Sequence, residues 1–175
     1  MKHSLIGLAM AALWASSSVA VAGGFAIREQ STIGQGLSFA GVAAGSGGLS
    51  SLFWNPAISS EYNEFGFISE NNAALILPYA KSDLGSGNIG EWAIVPAGYF
   101  SYALTDQITI ATSLNAPVGL TTDGRDGWAG NSRGDKSAVK TYNFNPTASY
   151  KVNDMLSVGV GAQIEFMQVD LTSRL

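Results

Sequence analysis

The sequence predicts an all-β protein: a transmembrane antiparallel β-barrel, preceded by a small N-terminal region with short helices. Three observations carry this expectation. The chain opens on the pattern of an export signal. From about residue 65 its apolar residues recur at every second position. The residues between them are mostly Thr, Ser, Asn and Gly, not the Lys and Glu of a water-facing sheet. Alternation of that composition suits strands with lipid on one face and a packed or watery lumen on the other. A soluble β-sandwich also alternates, but its outer faces carry more charge.

The export signal has three parts. Met1-Lys2-His3 is basic, Leu5 to Trp14 is apolar, and Ser16 to Ala22 is a small-residue tail ending Ala20-Val21-Ala22. Residues 1–22 therefore read as a signal peptide cut after Ala22. Its apolar run is shorter than the ~20 residues that a spanning helix needs. Later apolar runs are all interrupted by small, polar or charged residues.

Composition narrows the chemistry. Charged residues make up 13% of the chain, net charge is −4, and Lys and Arg are scattered. No basic patch exists, so nucleic acid is not an expected partner. There is no cysteine, and the one histidine, His3, leaves with the signal. The mature chain then has neither imidazole nor thiol. Ser-His and Cys-His nucleophiles and His-ligated zinc are excluded within these residues. Asp123 and Asp126 sit in an Asp-Gly-Arg-Asp-Gly loop that lacks the spacing and closing Glu of an EF-hand. Gly45-Ser46-Gly47-Gly48 is followed by no Gly-Lys-Ser/Thr, so it is no phosphate loop. The expectation is no catalytic residue, no metal and no cofactor.

Residues 23–64 form the first mature region. It is glycine-rich, and its charges are Arg28, Glu29, Glu61 and Glu64. Ser31 is placed to cap a short helix running toward Ala44, with Ile33, Leu37 and Phe39 or Ala40 on one side. Each glycine weakens such a helix by ~1 kcal/mol relative to Ala. The segment needs a container, and its small residues permit close packing inside one. It closes on Phe53-Trp54-Asn55-Pro56-Ala57. Asn caps helix starts and Pro fits the first helical position, so a helical turn is expected to begin there.

Residues 65–175 read as five strands. Ile108, Ile110, Thr112, Leu114, Ala116 and Val118 share one face. Tyr142, Phe144, Pro146, Ala148, Tyr150 and Val152 share another, and so do Leu156, Val158, Val160, Ala162, Ile164 and Phe166. Two earlier strands, about 65–79 and 92–104, are less tidy. Glu70, Asn71 and Asn72 interrupt the first, and Pro96 lies in the second, where it must sit at an edge, bulge or kink. Short turns near Thr105-Asp106 and Asn153-Asp154 alternate with long polar links at about 81–91 and 121–137. That is the turn pattern of an outer-membrane barrel. Phe65, Phe67, Tyr99, Phe100, Tyr102 and Tyr150 lie toward the short-turn end, and Tyr79 and Trp92 toward the other, as interfacial girdles require.

Three stretches together carry a family resemblance. They are Gly24-Phe25-Ala26-Ile27-Arg28-Glu29-Gln30-Ser31, Gly34-Gln35-Gly36-Leu37-Ser38-Phe39-Ala40-Gly41 and Phe53-Trp54-Asn55-Pro56-Ala57. In this order they resemble the start of FadL-type outer-membrane transporters, the long-chain fatty acid transport family that includes aromatic-hydrocarbon importers. Asn115-Ala116-Pro117-Val118-Gly119-Leu120 resembles the family's Pro-x-Gly-Leu at the end of its third strand. The chain departs from the family pattern before Asn-Pro-Ala: Gly45-Ser46-Gly47-Gly48-Leu49 stands where acidic residues are frequent.

The resemblance implies a barrel of about fourteen strands. Five cannot close, because single-chain bacterial barrels have even strand numbers from eight upward. The chain, ending Ser173-Arg174-Leu175, therefore reads as the signal, the plug and the first third of a barrel. The resemblance further implies a Gram-negative outer-membrane channel for passive uptake of hydrophobic molecules such as fatty acids or hydrocarbons. The ligand passes a plug at 23–64 and leaves sideways through the wall. Asn55, Pro56 and Ala57 map to the plug gate, Pro117 and Gly119 to a kinked strand, and Phe25, Ile27, Phe39, Phe53 and Trp54 to candidate ligand contacts, with packing against the wall as the alternative role. Outer-membrane lipid, lipopolysaccharide and the barrel assembly machinery are the implied surroundings. A structural or adhesive surface barrel and a general porin are the alternative functions.

Overall fold

The structure, a computed structural model, describes residues 24–81, 88–124 and 134–173. The predicted signal peptide, Asp126 and parts of both long links lie outside the described residues. No helix among the described residues is long and apolar enough to cross a membrane, which leaves crossing by strands open.

The strands are β1 (Phe67–Ile76), β2 (Ala93–Ala103), β3 (Ile108–Asn115), β4 (Gly119–Asp123), β5 (Lys136–Asn153), β6 (Leu156–Gly161) and β7 (Ile164–Thr172). All described pairings between them are antiparallel. The sequence predicts five strands, and the sheet has five passes, of which two are broken. β3 and β4 lie end to end along one edge of β5, and β6 and β7 lie end to end along the other. The first break, Ala116–Val118, contains Pro117, which cannot donate to a ladder. The second, Ala162–Gln163, faces Pro146 of β5, whose carbonyl accepts from Ala162 N at 3.1 Å but which has no N–H to return.

The sheet is polar inside and apolar outside. On β5, Thr141, Asn143, Asn145, Thr147 and Ser149 are buried, while Tyr142, Phe144, Ala148 and Tyr150 are exposed. The outward apolar face continues through Phe166, Val158, Leu114 and Ile110. Such a face is stable only against lipid. It ends past Tyr142, where Lys140 is exposed and pairs with Gln168, and Ala138 pairs with Asp170.

The N-terminal residues pack on the inward face. Ser31 caps helix α1 (Thr32–Gly36), its hydroxyl accepting from Gly34 N at 2.9 Å. The helix does not run to Ala44 as expected. Ser38 and Phe39 adopt left-handed φ of 53° and 61°, which ends it and turns the chain. Poor helix formers and glycines left little to hold a longer one. Three 3₁₀ segments follow, Val42–Ala44, Gly48–Phe53 and Pro56–Phe65, the last broken at Tyr62. Leu49 and Leu52 insert against Ala97, Tyr99 and Ala111, with Phe53, Tyr62 and Ile68 packed around them. Full burial of each leucine contributes about 1.5–3 kcal/mol. Burial, then Glu70 and Glu61, push the Tyr62 phenol up, so it stays neutral at ordinary pH.

Candidate functional site

The third pass is broken between β3 and β4. Asn115 pairs with Asn143 and Gly119 with Lys140, so four steps along β3–β4 face three along β5. The extra residue is a bulge that swings β4 aside. Thr141 fills in for the ladder, its hydroxyl accepting from Val118 N at 3.0 Å and donating to Val118 O at 2.7 Å. On the other side, β2 pairs with β3 only from Gly98 to Ala103. Its Ala93–Ala97 half pairs with β1 alone among the described residues. The chain before β2 meets β4 again higher up, where Asp123 N donates to Ile89 O at 2.9 Å. Between these points lies a cleft of about 1160 Å³. Its lining includes Val95 and Asn143 from the inward face and Pro96 and Phe100 from the outward face.

Residues 25–30 run along the break. Ile27 N donates to Pro117 O at 2.8 Å and Gly119 N to Phe25 O at 3.1 Å, making Ala26 and Val118 an antiparallel bridge. Gln30, fully buried, donates from Nε2 to Ala116 O at 2.8 Å and to Ile27 O at 3.2 Å. The Tyr99 hydroxyl donates to Gln30 O at 2.8 Å, with Asn115 beside it. Tyr99→Phe should therefore loosen the N-terminal seat by about 1–2 kcal/mol, by leaving a buried carbonyl without its donor. Protease nicking near Arg28 in the assembled protein should rise accordingly.

Asn55-Pro56-Ala57 sits elsewhere. Asn55 Oδ1 caps Ala57 N at 3.0 Å, Asn55 Nδ2 reaches Ala43 O at 2.9 Å, and Pro56 occupies the first helical position. Ser59 Oγ meets Ser149 Oγ of β5 at 2.8 Å. The backbone of Pro56 and Ala57 lies directly on Gly159 of β6. The gate candidates thus contact β6, and the kink candidates Pro117 and Gly119 contact Phe25 and Ile27. The five ligand candidates fall into two groups. Phe25 and Ile27 lie along the break. Phe39, Phe53 and Trp54 form an aromatic cluster, with centroids 5.7 Å apart for Phe39–Trp54 and 5.0 Å for Phe53–Trp54. Phe53 also packs against the leucine core.

The acidic residues absent before Asn-Pro-Ala have a stand-in from the wall. Glu70 of β1 accepts from Ser50 N at 3.1 Å and lies over Gly48, whose φ of 73° suits glycine. Glu70, Gln30, Thr141 and Gly159 were not legible as site residues, because each acts through contacts distant in sequence. Gln30 alone had a signal, its place in the opening motif.

A sheet with an apolar outward band and a helical segment lodged on its polar inward face defines a partial outer-membrane β-barrel with an internal plug region. Residues 13–175 match the family described as outer membrane protein transport protein (OMPP1/FadL/TodX), and the chain belongs to it. The long-chain fatty acid transport protein of Escherichia coli K12 is 28% identical over 152 residues, covering 83% of this chain and 34% of the relative. The 47 kDa outer membrane protein of Pasteurella multocida is 31% identical, covering 82% and 33%, and outer membrane protein P1 of Haemophilus influenzae is 25% identical, covering 91% and 40%. The chain spans roughly a third of the length of these relatives. The crystal structure of a Pseudomonas aeruginosa FadL homologue shares the fold at TM-score 0.64 and 21% identity, over 85% of this chain and 39% of that one.

Proposed function

We propose that the full-length protein takes up hydrophobic molecules passively, long-chain fatty acids or hydrocarbons, and releases them sideways into the outer membrane. The observation that supports this reading is the cleft beside the break at Pro117, lined by residues of both faces of the sheet, with Phe25–Ile27 bonded along the break. Residues 23–64 act as the plug, Asn55-Pro56-Ala57 as its gate element, and Pro117 with Gly119 as the kink that parts the wall. Phe25 and Ile27 meet the ligand at the exit, and Phe39, Phe53 and Trp54 offer it an aromatic surface on the plug. The alternating faces suit lateral release: an apolar solute gains on leaving a polar-walled lumen for hydrocarbon. The exposed outer band is covered by outer-membrane lipid and lipopolysaccharide, and the barrel assembly machinery inserts it. No catalytic step is involved.

The test is uptake of a labelled long-chain fatty acid by cells whose only importer is the full-length protein. Deleting Phe53–Ala57 should change the uptake rate by about tenfold or more, equivalent to ~1.4 kcal/mol on the limiting barrier. Unchanged uptake through a heat-modifiable, assembled barrel would remove the gate role. Absence of uptake by the intact protein would remove the transport reading itself.

A further inference from the structure

We propose that Asn71 is a receiving site, on the bilayer side of the wall, for the uncharged carboxyl head of an amphiphile leaving through the opening beside β2. The proposal rests on the transport reading and specifies the chemistry at its exit.

Glu70-Asn71-Asn72 is the polar interruption in the first strand. Two of the three are accounted for inside. Glu70 accepts from Ser50 N, Asn72 Nδ2 donates to Glu70 Oε1 at 3.0 Å, and Asn72 Oδ1 accepts from Thr32 Oγ1 at 2.5 Å. Asn71 is on the other face. Phe67, Ser69, Asn71, Ala73 and Leu75 are the exposed, outward positions of β1. Asn71 therefore lies within the outward row, between Ser69 and Ala73, with Phe67 and Leu75 beyond them. Its amide has no hydrogen-bond partner among the described residues. An unpaired amide in hydrocarbon is costly, and an intramembrane polar group facing a pathway is a functional group by default.

Its direction and surroundings place it at the exit. Asn71 pairs with Gly98 of β2, and its Oδ1 lies 3.2 Å from where a methyl on Gly98 would be. The side chain leans toward β2, over Gly98, beside the edge of the Phe100 ring. Asn71, Gly98 and Pro96 line the same cleft as Asn115 and Asn143 of the inward face. Lys136 and Lys140, the cations of that cleft, belong to the far part of β5, beyond its apolar band.

A primary amide presents one acceptor and N–H donors side by side. A neutral carboxyl presents one O–H donor and one acceptor in the same spacing, so the two make a paired hydrogen bond. A carboxylate only accepts, and it resists entering hydrocarbon. An alkane gains nothing from the amide. Asn71 therefore favours the protonated acid over both.

The experiment uses the full-length protein in Gram-negative cells lacking other uptake of the probes, hexadecanoic acid and hexadecane. Asn71→Leu should lower acid uptake relative to hexadecane by about tenfold, and Asn71→Gln should recover most of it. Equal uptake ratios in the wild type and Asn71→Leu overturn the proposal, as does a parallel fall for both probes. Leucine is favoured on a lipid face. Loss of the heat-modifiable band in Asn71→Leu would therefore reveal a structural contact and also overturn it. If the wild type imports neither probe, the transport reading fails as well. If the wild type imports both and Asn71→Leu matches it, the receiving site alone fails.

Discussion

Gly159→Val should push Asn55-Pro56-Ala57 off the wall while the strands still assemble. A Cβ on Gly159 would stand 2.6 Å from Pro56 C and 2.7 Å from Ala57 Cα, and closer still to Ala57 N. These are backbone atoms on both sides, so no rotamer relieves the contact. Overpacking of this kind costs about 1–3 kcal/mol, and backbone on both sides puts it at the upper end. The element is held by a cap worth ~1 kcal/mol and by the Ser59–Ser149 and Asn55–Ala43 bonds at ~1 kcal/mol each. The clash is therefore of the same size as the anchorage, and the weaker partner yields. That partner is the single 3₁₀ start, since β6 is fixed along β5 from Leu156 to Gly161. A displaced plug should leave the lumen leakier. Sensitivity to a large hydrophilic antibiotic such as vancomycin should rise by about tenfold, as expected when ~1.4 kcal/mol of closure is lost. Gly161→Ala is the control on the same strand. Its added methyl meets the Thr147 and Asn145 side chains, which can move, so its effect should be smaller. Wild-type resistance in Gly159→Val would show that the element is not a seal.

The strands were legible because a period of two survives any tertiary context that keeps one face in lipid. The break at Pro117 was legible for the same local reason, a residue with no N–H. The break at Ala162–Gln163 was not, because its cause, Pro146, sits on the neighbouring strand. The plug was legible as weakly helical but not in detail. Ser38 and Phe39 take left-handed φ that their residue types do not announce, and the Phe39 ring packs on Trp54, distant in sequence. The site divides similarly. Asn55 and Pro56 declare their cap in sequence. Their seat, Gly159, is an unremarkable strand glycine until the fold brings two backbones together. Asn71 showed itself only as a flaw in a pattern, and its register with Gly98 is what gives the flaw a direction.

Cysteines at positions 26 and 118 should form a disulfide that halts uptake, with a reductant restoring it. The bonds from Ile27 N to Pro117 O and from Gly119 N to Phe25 O flank the Ala26–Val118 pair. That makes it a non-hydrogen-bonded pair, with Cα atoms about 4.5 Å apart in an antiparallel ladder. Disulfides span Cα separations of ~4.4–6.8 Å, so the link needs no backbone movement. The chain contains no cysteine to mispair with, and an exported protein meets an oxidising compartment. If ligand leaves beside Pro117, Phe25–Ile27 must withdraw during each passage, which breaks two backbone hydrogen bonds and the Gln30–Ala116 contact. Those bonds are individually worth about 0.5–1.5 kcal/mol, weak enough to open on a transport timescale. A covalent link is not. Oxidised Ala26→Cys/Val118→Cys protein should therefore lose at least about tenfold in uptake, as a block of the limiting step requires, and either single variant should transport normally. Full uptake through the oxidised protein would mean that the N-terminal segment stays in place while ligand moves. The opening beside Pro117 would then be a sealed seam in the wall, and the exit would have to lie among the strands that follow.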